Sequence, residues 1–273
     1  QNPVIRITTD AGIVGWGEAE APKHYLKPHI LFYKQFIVGE DPTNVERVML
    51  KIRRLGSFKP WGAAVSAIEM ALLDIAGKAA GLPVYKLLGG RRESAPCYGS
   101  DGGWLYMTVA EMLKAFEEYL AQGMMGVKMK IGHEDPKVDI QRVREVRKAL
   151  GDDVWIAVDA NQKWDFPTAL WVGRELEQLG VAWFEEPLLC EDVAGHARLA
   201  AALDIPVAMG ETLGSRFEFD AYIRANAADI LQPDIVRVGG ITEMVKIATM
   251  ADVAGRPGAP HHLMEATIQV ACG

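Results

Sequence analysis

Seven polar side chains stand at regular intervals in the sequence, each at or near the end of a short apolar run. They are Lys128, Lys130, Asp159, Glu185, Glu211, Asp234 and His261. Counted from Lys130, the successive intervals are 29, 26, 26, 23 and 27 residues. Each interval fits one strand and one helix, and the carboxyl ends of barrel strands open onto one rim, where barrel enzymes keep their chemistry. The spacing therefore predicts that these side chains share one site.

The carboxylates of Asp159, Glu185 and Glu211 end three consecutive predicted strands. Held together, the carboxylates would repel one another, and their pKa values would rise. A divalent cation removes that cost, and a donor set of oxygen atoms alone suits a hard ion such as Mg²⁺. Any one of them taken alone is better explained as a helix cap or a surface acid, but the three together at barrel spacing predict a Mg²⁺ site.

Lys128 and Lys130 are separated by one residue in a predicted strand, so both side chains lie on the same face of it. Two inward lysines beside a metal ion are expected to have depressed pKa values, through like charge and loss of solvent. A neutral amine could then act as a general base. The alternative is a pair of exposed lysines on an edge strand.

Asp234 and His261 end consecutive predicted strands, and an Asp that accepts a hydrogen bond from a His fixes the ring tautomer and raises its basicity. A slip of one residue would put His262 in this place, and a His that merely satisfies the core or surface is the structural alternative. Asn161, two residues after Asp159, is a candidate ligand of the substrate or of the metal shell, with an ordinary turn asparagine as the alternative.

The elements that must position these residues follow a repeating pattern from about residue 95 onward. The predicted strands are 95–100, 126–131, 154–159, 181–186, 206–211, 229–234 and 257–261, and predicted helices include 138–150, 167–179 and 241–254. Repeated strand–helix units with apolar strands imply a parallel sheet covered on both faces. Seven consecutive units favour a closed barrel over an open sheet.

The first 90 residues differ from the repeating part. They begin with a predicted hairpin, 4–8 and 13–17, and continue with predicted helices at 43–55 and 63–80. The second helix is expected to stop at Gly81. A short hairpin with a few helices indicates a small α+β unit.

Composition narrows the class of protein. The 273 residues are 49% hydrophobic and 24% charged, which is typical of a globular protein and excludes disorder. The net charge of -7 comes from interspersed acidic and basic residues, so neither a nucleic-acid surface nor a membrane-binding helix is expected. Cys97, Cys190 and Cys272 are far apart and odd in number, which favours a reducing compartment, the cytoplasm, over disulfides or structural zinc.

The candidate residues stand within motifs that together resemble the enolase superfamily and, within it, the mandelate racemase subgroup. The motifs are VKMKIG, VDANQ, WFEEP, VAMGE, LQPDIVRVGGIT and PHH, preceded by GIVGWGEAEAP and AAVSAIEMALLDIAGKAAGLPVYKLLGG. They cover nearly the whole chain. Each motif alone is weak evidence, but the set in this order is highly specific.

The resemblance implies an α/β fold, a modified TIM barrel of the (β/α)₇β type with an N-terminal α+β capping domain. The capping domain would comprise residues 1–92 and the barrel residues 93–273. We expect the first capping strand and the last barrel strand to lie outside this sequence, together with a glutamate that binds the substrate carboxylate in this family.

The resemblance also implies a role for each candidate residue. The roles are Mg²⁺ binding by Asp159, Glu185 and Glu211, base catalysis by Lys130 with Lys128 beside it, and acid–base catalysis by Asp234 and His261 on the other face of the substrate. Enzymes of the enolase superfamily use a Lys or His base with Mg²⁺ that stabilises an ene-diolate. Bases on both faces permit racemisation, whereas a base on one face and an acid on the other permit loss of a β-hydroxyl.

The favoured hypothesis is an acid-sugar dehydratase, which abstracts the α-proton of a hydroxy-carboxylate to form a metal-stabilised enediolate. The phrase VDANQKWD is similar to dehydratases of the galactarate or talarate type. The alternatives are a racemase or epimerase of a 2-hydroxy acid, a catalytically silent cation-binding barrel, and a metal-free phosphate-binding barrel, against which the acidic rim argues. We expect a homo-oligomer, an octamer or a dimer, with no nucleic-acid or membrane partner.

Overall fold

A computed structural model of the chain describes residues 3–54 and 62–273. The chain divides into two compact units. The first comprises the described residues up to Ala95 together with Glu211–Phe219 and Gln232–Gly273, and the second comprises Pro96–Gly210 and Asp220–Leu231. The predicted domain boundary between residues 92 and 93 stays a prediction. The last residue of the predicted helix 43–55 lies outside the described residues.

The elements alternate between strand and helix over most of the chain. The strands are β1 (Val4–Thr8), β2 (Val14–Glu18), β3 (Gly126–Lys130), β4 (Trp155–Asp159), β5 (Phe184–Glu185), β6 (Val207–Met209) and β7 (Ile230–Leu231). The helices are α1 (Lys23–Tyr33), α2 (Val45–Arg53), α3 (Gly62–Ala80), α4 (Val84–Leu87), α5 (Val109–Ala121), α6 (Pro136–Leu150), α7 (Phe166–Glu177), α8 (Val193–Ala202), α9 (Arg216–Ala225), α10 (Ile241–Val253) and α11 (Met264–Cys272). Within the described ranges, no helix has the length and apolar character needed to cross a membrane.

The second unit is built on a parallel sheet whose strands follow one another in chain order, from β3 to β7. One face of it is apolar, with Val127, Ile156, Val158 and Phe184 all fully buried. The helices that lie between these strands along the chain contribute side chains to the same hydrophobic core. A parallel sheet needs such cover because its strands have no solvent-facing side.

Two predicted strands are reduced to single bridges. Gly99 pairs with Val127, and Asp234 pairs with His261, both in the parallel sense. Beyond Gly99 the chain still accepts hydrogen bonds from β3, but through Gly103, whose added Cβ would lie 2.4 Å from the carbonyl oxygen of Lys128. Residues 95–100 thus contribute one bridge to the sheet and no continuous strand.

Aspartates cap α6, α7 and α8, three of the helices that separate the strands. The side chain of Asp135 accepts a hydrogen bond from the backbone N–H of Lys137, and Pro136 is the first residue of α6. Asp165 likewise accepts from the N–H of Thr168 at the start of α7. Capping of this kind satisfies N–H groups that have no partner within the helix. The predicted helices 138–150, 167–179 and 241–254 are confirmed to within a few residues.

The first unit contains the predicted hairpin, in which β1 and β2 pair antiparallel. Strand β2 lies so close to α3 that a Cβ on Gly15 would come within 2.1 Å of the carbonyl oxygen of Ala71. A Cβ on Gly17 would come within 1.8 Å of the carbonyl oxygen of Ala67. The two glycines therefore allow backbone-to-backbone packing, and α3 is buried along most of its length.

A buried carboxylate of α3 binds the start of α10 within the same unit. Glu69 is fully buried and accepts hydrogen bonds from the backbone N–H groups of Ile241 (2.7 Å) and Thr242 (2.8 Å). Burial raises the pKa of Glu69 to about 7, although these two hydrogen bonds oppose the rise. The negative end of the side chain thus meets the positive end of the helix dipole.

A buried guanidinium joins three segments of the second unit. Arg147, near the end of α6, donates hydrogen bonds to the carbonyl oxygens of Gly151, Val154, Leu179 and Gly180 at 2.6–2.9 Å. The planar group has enough donors for all four. It therefore fixes the chain on both sides of β4, at the opposite end from Asp159.

Replacing Glu69 by Gln should change how stability depends on pH. In the unfolded chain the Glu69 carboxyl loses its proton near pH 4.5, but in the folded chain near pH 7. Between these values the unfolded state binds fewer protons, so the free energy of unfolding should fall by roughly 2–3 kcal/mol as pH rises. Urea unfolding at pH 5 and pH 8 should show this fall in the parent chain but not in Glu69→Gln. The exposed Glu117→Gln serves as the control, and parallel profiles for all three chains would contradict the assignment.

Replacing Arg147 by Met should destabilise the second unit by about 2–4 kcal/mol, because four partly buried hydrogen bonds to backbone carbonyl groups are lost. Urea unfolding at pH 7 measures this loss. Arg144→Met is the matched control, since Arg144 lies on the same helix with its side chain 52% exposed and its Nη2 3.9 Å from Glu175. Its removal should cost under about 0.5 kcal/mol. Equal losses for the two variants would show that the four hydrogen bonds carry no special weight.

Candidate functional site

The carboxyl ends of three neighbouring strands bring charged residues side by side. The register of the sheet pairs Lys130 with Asp159, and Asp159 with Glu185. Asp159 and Glu185 are fully buried although they are ionisable. Glu211 follows β6 after Gly210 and is also buried.

The three carboxylates form a group that could hold a metal ion. Asp159, Glu185 and Glu211 each offer an oxygen atom, and these atoms lie within 4.8 Å of one another. Such a donor set, made of oxygen atoms with no sulfur or nitrogen, is the one that Mg²⁺ prefers. The donor atoms present therefore fit a divalent cation such as Mg²⁺.

Both predicted lysines contact this group. The Nζ of Lys128 lies 2.6 Å from Oε1 of Glu185 and 3.4 Å from Oδ2 of Asp159. The Nζ of Lys130 donates a hydrogen bond to Oδ2 of Asp159. The Lys128 side chain is only 4% exposed, whereas that of Lys130 is 18% exposed. Lys130 is therefore the more accessible of the two amines.

The pKa directions differ from those predicted. Burial alone would lower the pKa of Lys128, but the charges of Glu185 and Asp159 outweigh it and raise that pKa. Burial alone would raise the pKa of Asp159, but the ammonium groups of Lys128 and Lys130 outweigh it and lower that pKa. The expectation of a depressed lysine pKa was wrong for Lys128, and that of a raised carboxyl pKa was wrong for Asp159. Both expectations considered repulsion between like charges, whereas direct contact between opposite charges sets the direction of these two pKa shifts.

The predicted Asp–His pair lies within the first unit. The Nδ1 of His261 is 2.7 Å from Oδ2 of Asp234, and Oδ1 of Asp234 accepts a hydrogen bond from the N–H of Val236. Because a carboxylate only accepts, Nδ1 carries a proton in this contact. The Nε2 of His261 lies 3.1 Å from Oε2 of Glu211. The structure thus places His261, rather than His262, against Asp234.

Arg237 is a site residue that the sequence analysis missed. Its Nε lies 3.6 Å from Oδ2 of Asp234, and its Nη1 donates a hydrogen bond to the carbonyl oxygen of Glu211 at 2.9 Å. Its Nη2 donates to Oε2 of Glu20 at 3.1 Å. Burial opposes the charged form, but the surrounding carboxylates outweigh it and raise the pKa of Arg237. The one available signal was the spacing of three residues from Asp234, which places both side chains in one turn.

Strained backbone accompanies the strand ends. Asn161, Gln162 and Glu186 have positive φ angles of 42°, 64° and 42°, a region that residues other than glycine rarely adopt. The N–H of Asn161 donates to Oδ1 of Asp159, and Nε2 of Gln162 donates to Oε2 of Glu186. Strain of this kind clusters at functional sites. The predicted contact of Asn161 with a substrate stays a prediction.

Comparison with known proteins gives two family matches. Residues 111–273 match the model described as enolase C-terminal domain-like. Residues 2–89 match the model described as mandelate racemase / muconate lactonizing enzyme, N-terminal domain. Together these matches take in most of the chain.

Several characterised relatives are similar to the chain. The L-talarate/galactarate dehydratase of Salmonella typhimurium is 45% identical over 233 residues, which are 84% of this chain and 58% of that protein. The arabinonate dehydratase of Saccharolobus solfataricus is 38% identical over 94% of this chain and 71% of its own length. The chain thus spans somewhat more than half of the first relative.

A solved structure shows the same fold. The crystal structure of the Salmonella typhimurium dehydratase, liganded with Mg and L-lyxarohydroxamate, has a TM-score of 0.93 at 39% identity, covering 99% of this chain and 71% of that one. The predicted fold class, an α/β modified TIM barrel with an N-terminal capping domain, is confirmed. The chain therefore belongs to the mandelate racemase/muconate lactonizing enzyme family of the enolase superfamily.

Proposed function

We propose that the protein is a Mg²⁺-dependent dehydratase of a sugar acid, which removes the proton α to the carboxylate and expels the β-hydroxyl. The observation that carries the proposal is that two groups able to transfer protons contact members of one buried carboxylate group. Lys130 contacts Asp159, and His261 contacts Glu211. A general base and a general acid are the two groups that such an elimination needs.

Asp159, Glu185 and Glu211 are the residues that would hold Mg²⁺. When bound, the ion supplies positive charge beside the substrate carboxylate, where a second negative charge develops during proton removal. The residues of the chain prepare for this in two ways. Burial keeps the three carboxylates dry, and Lys128 balances part of their charge.

The two lysines have different roles in the proposed reaction. Lys128 is almost fully buried between two carboxylates, which hold it in the charged form. We assign it a positioning and charge-balancing role. Lys130, with the larger exposed fraction, is the base that takes the α-proton at its Nζ.

His261 supplies the second proton-transfer group. Asp234 accepts the hydrogen bond from Nδ1, so the ring is held with Nε2 as its other reactive atom. In the proposed reaction Nε2 delivers a proton to the departing hydroxyl, which leaves as water. Asn161 is the proposed contact for a hydroxyl of the substrate.

The relatives support sugar acids as the substrate class. Besides the talarate/galactarate and arabinonate dehydratases, D-galactonate dehydratases of several bacteria are 33–34% identical. An L-talarate dehydratase from Polaromonas, solved with Mg and L-glucarate, has a TM-score of 0.91 at 39% identity, covering 99% of this chain and 78% of that one. Racemase or epimerase activity is the second candidate, favoured by the presence of two separate proton-transfer pairs.

The three cysteines are free thiols, which supports a location in the cytoplasm. The homo-oligomeric state stays a prediction.

Incubating the protein with a panel of sugar acids and Mg²⁺ should yield a 2-keto product from one or a few of them. The panel should include galactarate, talarate, glucarate, galactonate and arabinonate. Excess EDTA should abolish the product, and added Mg²⁺ should restore it. A run in D₂O separates the two candidates, because incorporation of deuterium at the α-carbon without a keto product would indicate a racemase or epimerase.

Lys130→Met should lower kcat/KM of the reactive acid by about 10²–10⁴, the usual contribution of a general base. The measurement is the initial rate of 2-keto product formation. Lys78→Met is the control, since Lys78 lies on α3, forms an ion pair with Asp74 and is 45% exposed. It should leave the rate unchanged. Turnover by Lys130→Met at the parent rate would show that Lys130 is not the base, whereas absence of product from every acid with the parent protein would favour the silent cation-binding barrel.

A further inference from the structure

A buried tryptophan contacts one of the candidate metal ligands. Trp183 is 3% exposed, and its indole Nε1 donates a hydrogen bond to Oε2 of Glu185 at 3.1 Å. Glu185 follows Trp183 by two residues, so both side chains lie on one face of the extended chain. The proposed reaction has no use for the indole.

With this contact, each oxygen atom of the Glu185 carboxylate accepts a hydrogen bond from a side chain. Oε1 of Glu185 meets the Nζ of Lys128 at 2.6 Å, while Oε2 meets the indole of Trp183. With a donor on each oxygen, the carboxylate plane cannot turn without breaking a buried hydrogen bond. Loss of such a bond leaves a buried acceptor unsatisfied, which is costly.

Neighbouring rings hold the indole in its place. Trp155 lies edge-on to Trp183 with ring centroids 4.2 Å apart, and Tyr98 lies edge-on at 5.2 Å. Trp155 itself can approach because Gly126 stands opposite it; a Cβ there would come within 2.7 Å of the Trp155 side chain. Edge-to-face packing of aromatic rings is favourable and restricts their rotation.

We propose that Trp183 is a positioning residue of the cation site, which aims the Glu185 carboxylate at the ion and reports its binding through indole emission. This inference rests on the proposed Mg²⁺ site. An indole suits the task because it is a neutral donor: it orients the carboxylate without adding positive charge that would repel a cation. Partners that orient metal-binding carboxylates are worth about 10- to 100-fold in metal affinity.

The test compares Trp183→Phe with Trp155→Phe in the full chain. Phenylalanine keeps an aromatic ring at either position but lacks the N–H group. Isothermal titration calorimetry with Mg²⁺ should give an affinity about 10- to 100-fold weaker for Trp183→Phe. Trp155→Phe, which changes the same aromatic cluster without touching Glu185, should bind within about twofold of the parent.

Emission provides a second readout that packing alone would not move. Addition of Mg²⁺ should change the tryptophan emission of the parent, and the change should persist in Trp155→Phe but vanish in Trp183→Phe. The sequence has seven tryptophans, so the difference spectrum with and without Mg²⁺ is compared between the parent and the two variants to identify the responding one. Circular dichroism checks that each variant is folded.

The outcomes separate this inference from the proposed function. If the parent binds no Mg²⁺, the metal assignment itself fails. If the parent binds Mg²⁺ and Trp183→Phe binds it equally well, Trp183 does not position Glu185. If Trp183→Phe does not fold, Trp155→Phe decides, because an emission that ignores Mg²⁺ in that variant would overturn the inference.

Discussion

The arrangement of charged residues at the strand ends is governed by the free-energy cost of burying carboxylates. Asp159 and Glu185 are inaccessible to water at neighbouring strand ends, and two ammonium groups contact them directly. A buried charge is tolerated only when it is paired and hydrogen-bonded, and removal of one partner leaves the other stranded. The lysines are therefore part of the architecture as well as the chemistry. They lower the pKa of Asp159 and so favour its ionised form, which is the form that binds a cation.

The sheet and its loops are arranged to hold this charge cluster in place. Parallel register alone sets Lys130, Asp159 and Glu185 in one row. Immediately after the strands, the backbone takes up left-handed conformations at Asn161 and Glu186, where the chain must turn sharply to direct its polar groups toward the row. Such conformations persist only because surrounding hydrogen bonds determine them, among them the one from Gln162 to Glu186. Rigidity at the rim is thus obtained at some cost in local backbone energy.

Much of this organisation could be predicted from the sequence, because it follows from periodicity. The spacing from Lys130 to Asp159 to Glu185 corresponds to the strand–helix repeat, and the predicted contact between Asp234 and His261 is present. Strand lengths were overestimated, since an apolar run such as 181–186 does not show where the hydrogen-bonded ladder ends. The pKa directions were missed because they depend on distances of 2–4 Å between opposite charges. Arg237 and Trp183 were missed for a related reason: their donors matter only through partners that the fold supplies.

Arg237 also has a bearing on how this scaffold could be redesigned. Its guanidinium links Glu20, in the segment between β2 and α1, to the aspartate that orients the imidazole. Grafting that segment from a relative to alter selectivity would exchange Glu20 for whatever residue the donor carries. If the grafted segment has no acceptor at this position, Arg237 loses one partner. Its attraction to Asp234 then competes more strongly with the contact between Asp234 and His261. A swap of that segment would therefore disturb the contact between Asp234 and His261 as well, and retaining an acidic residue at position 20 is the simplest safeguard.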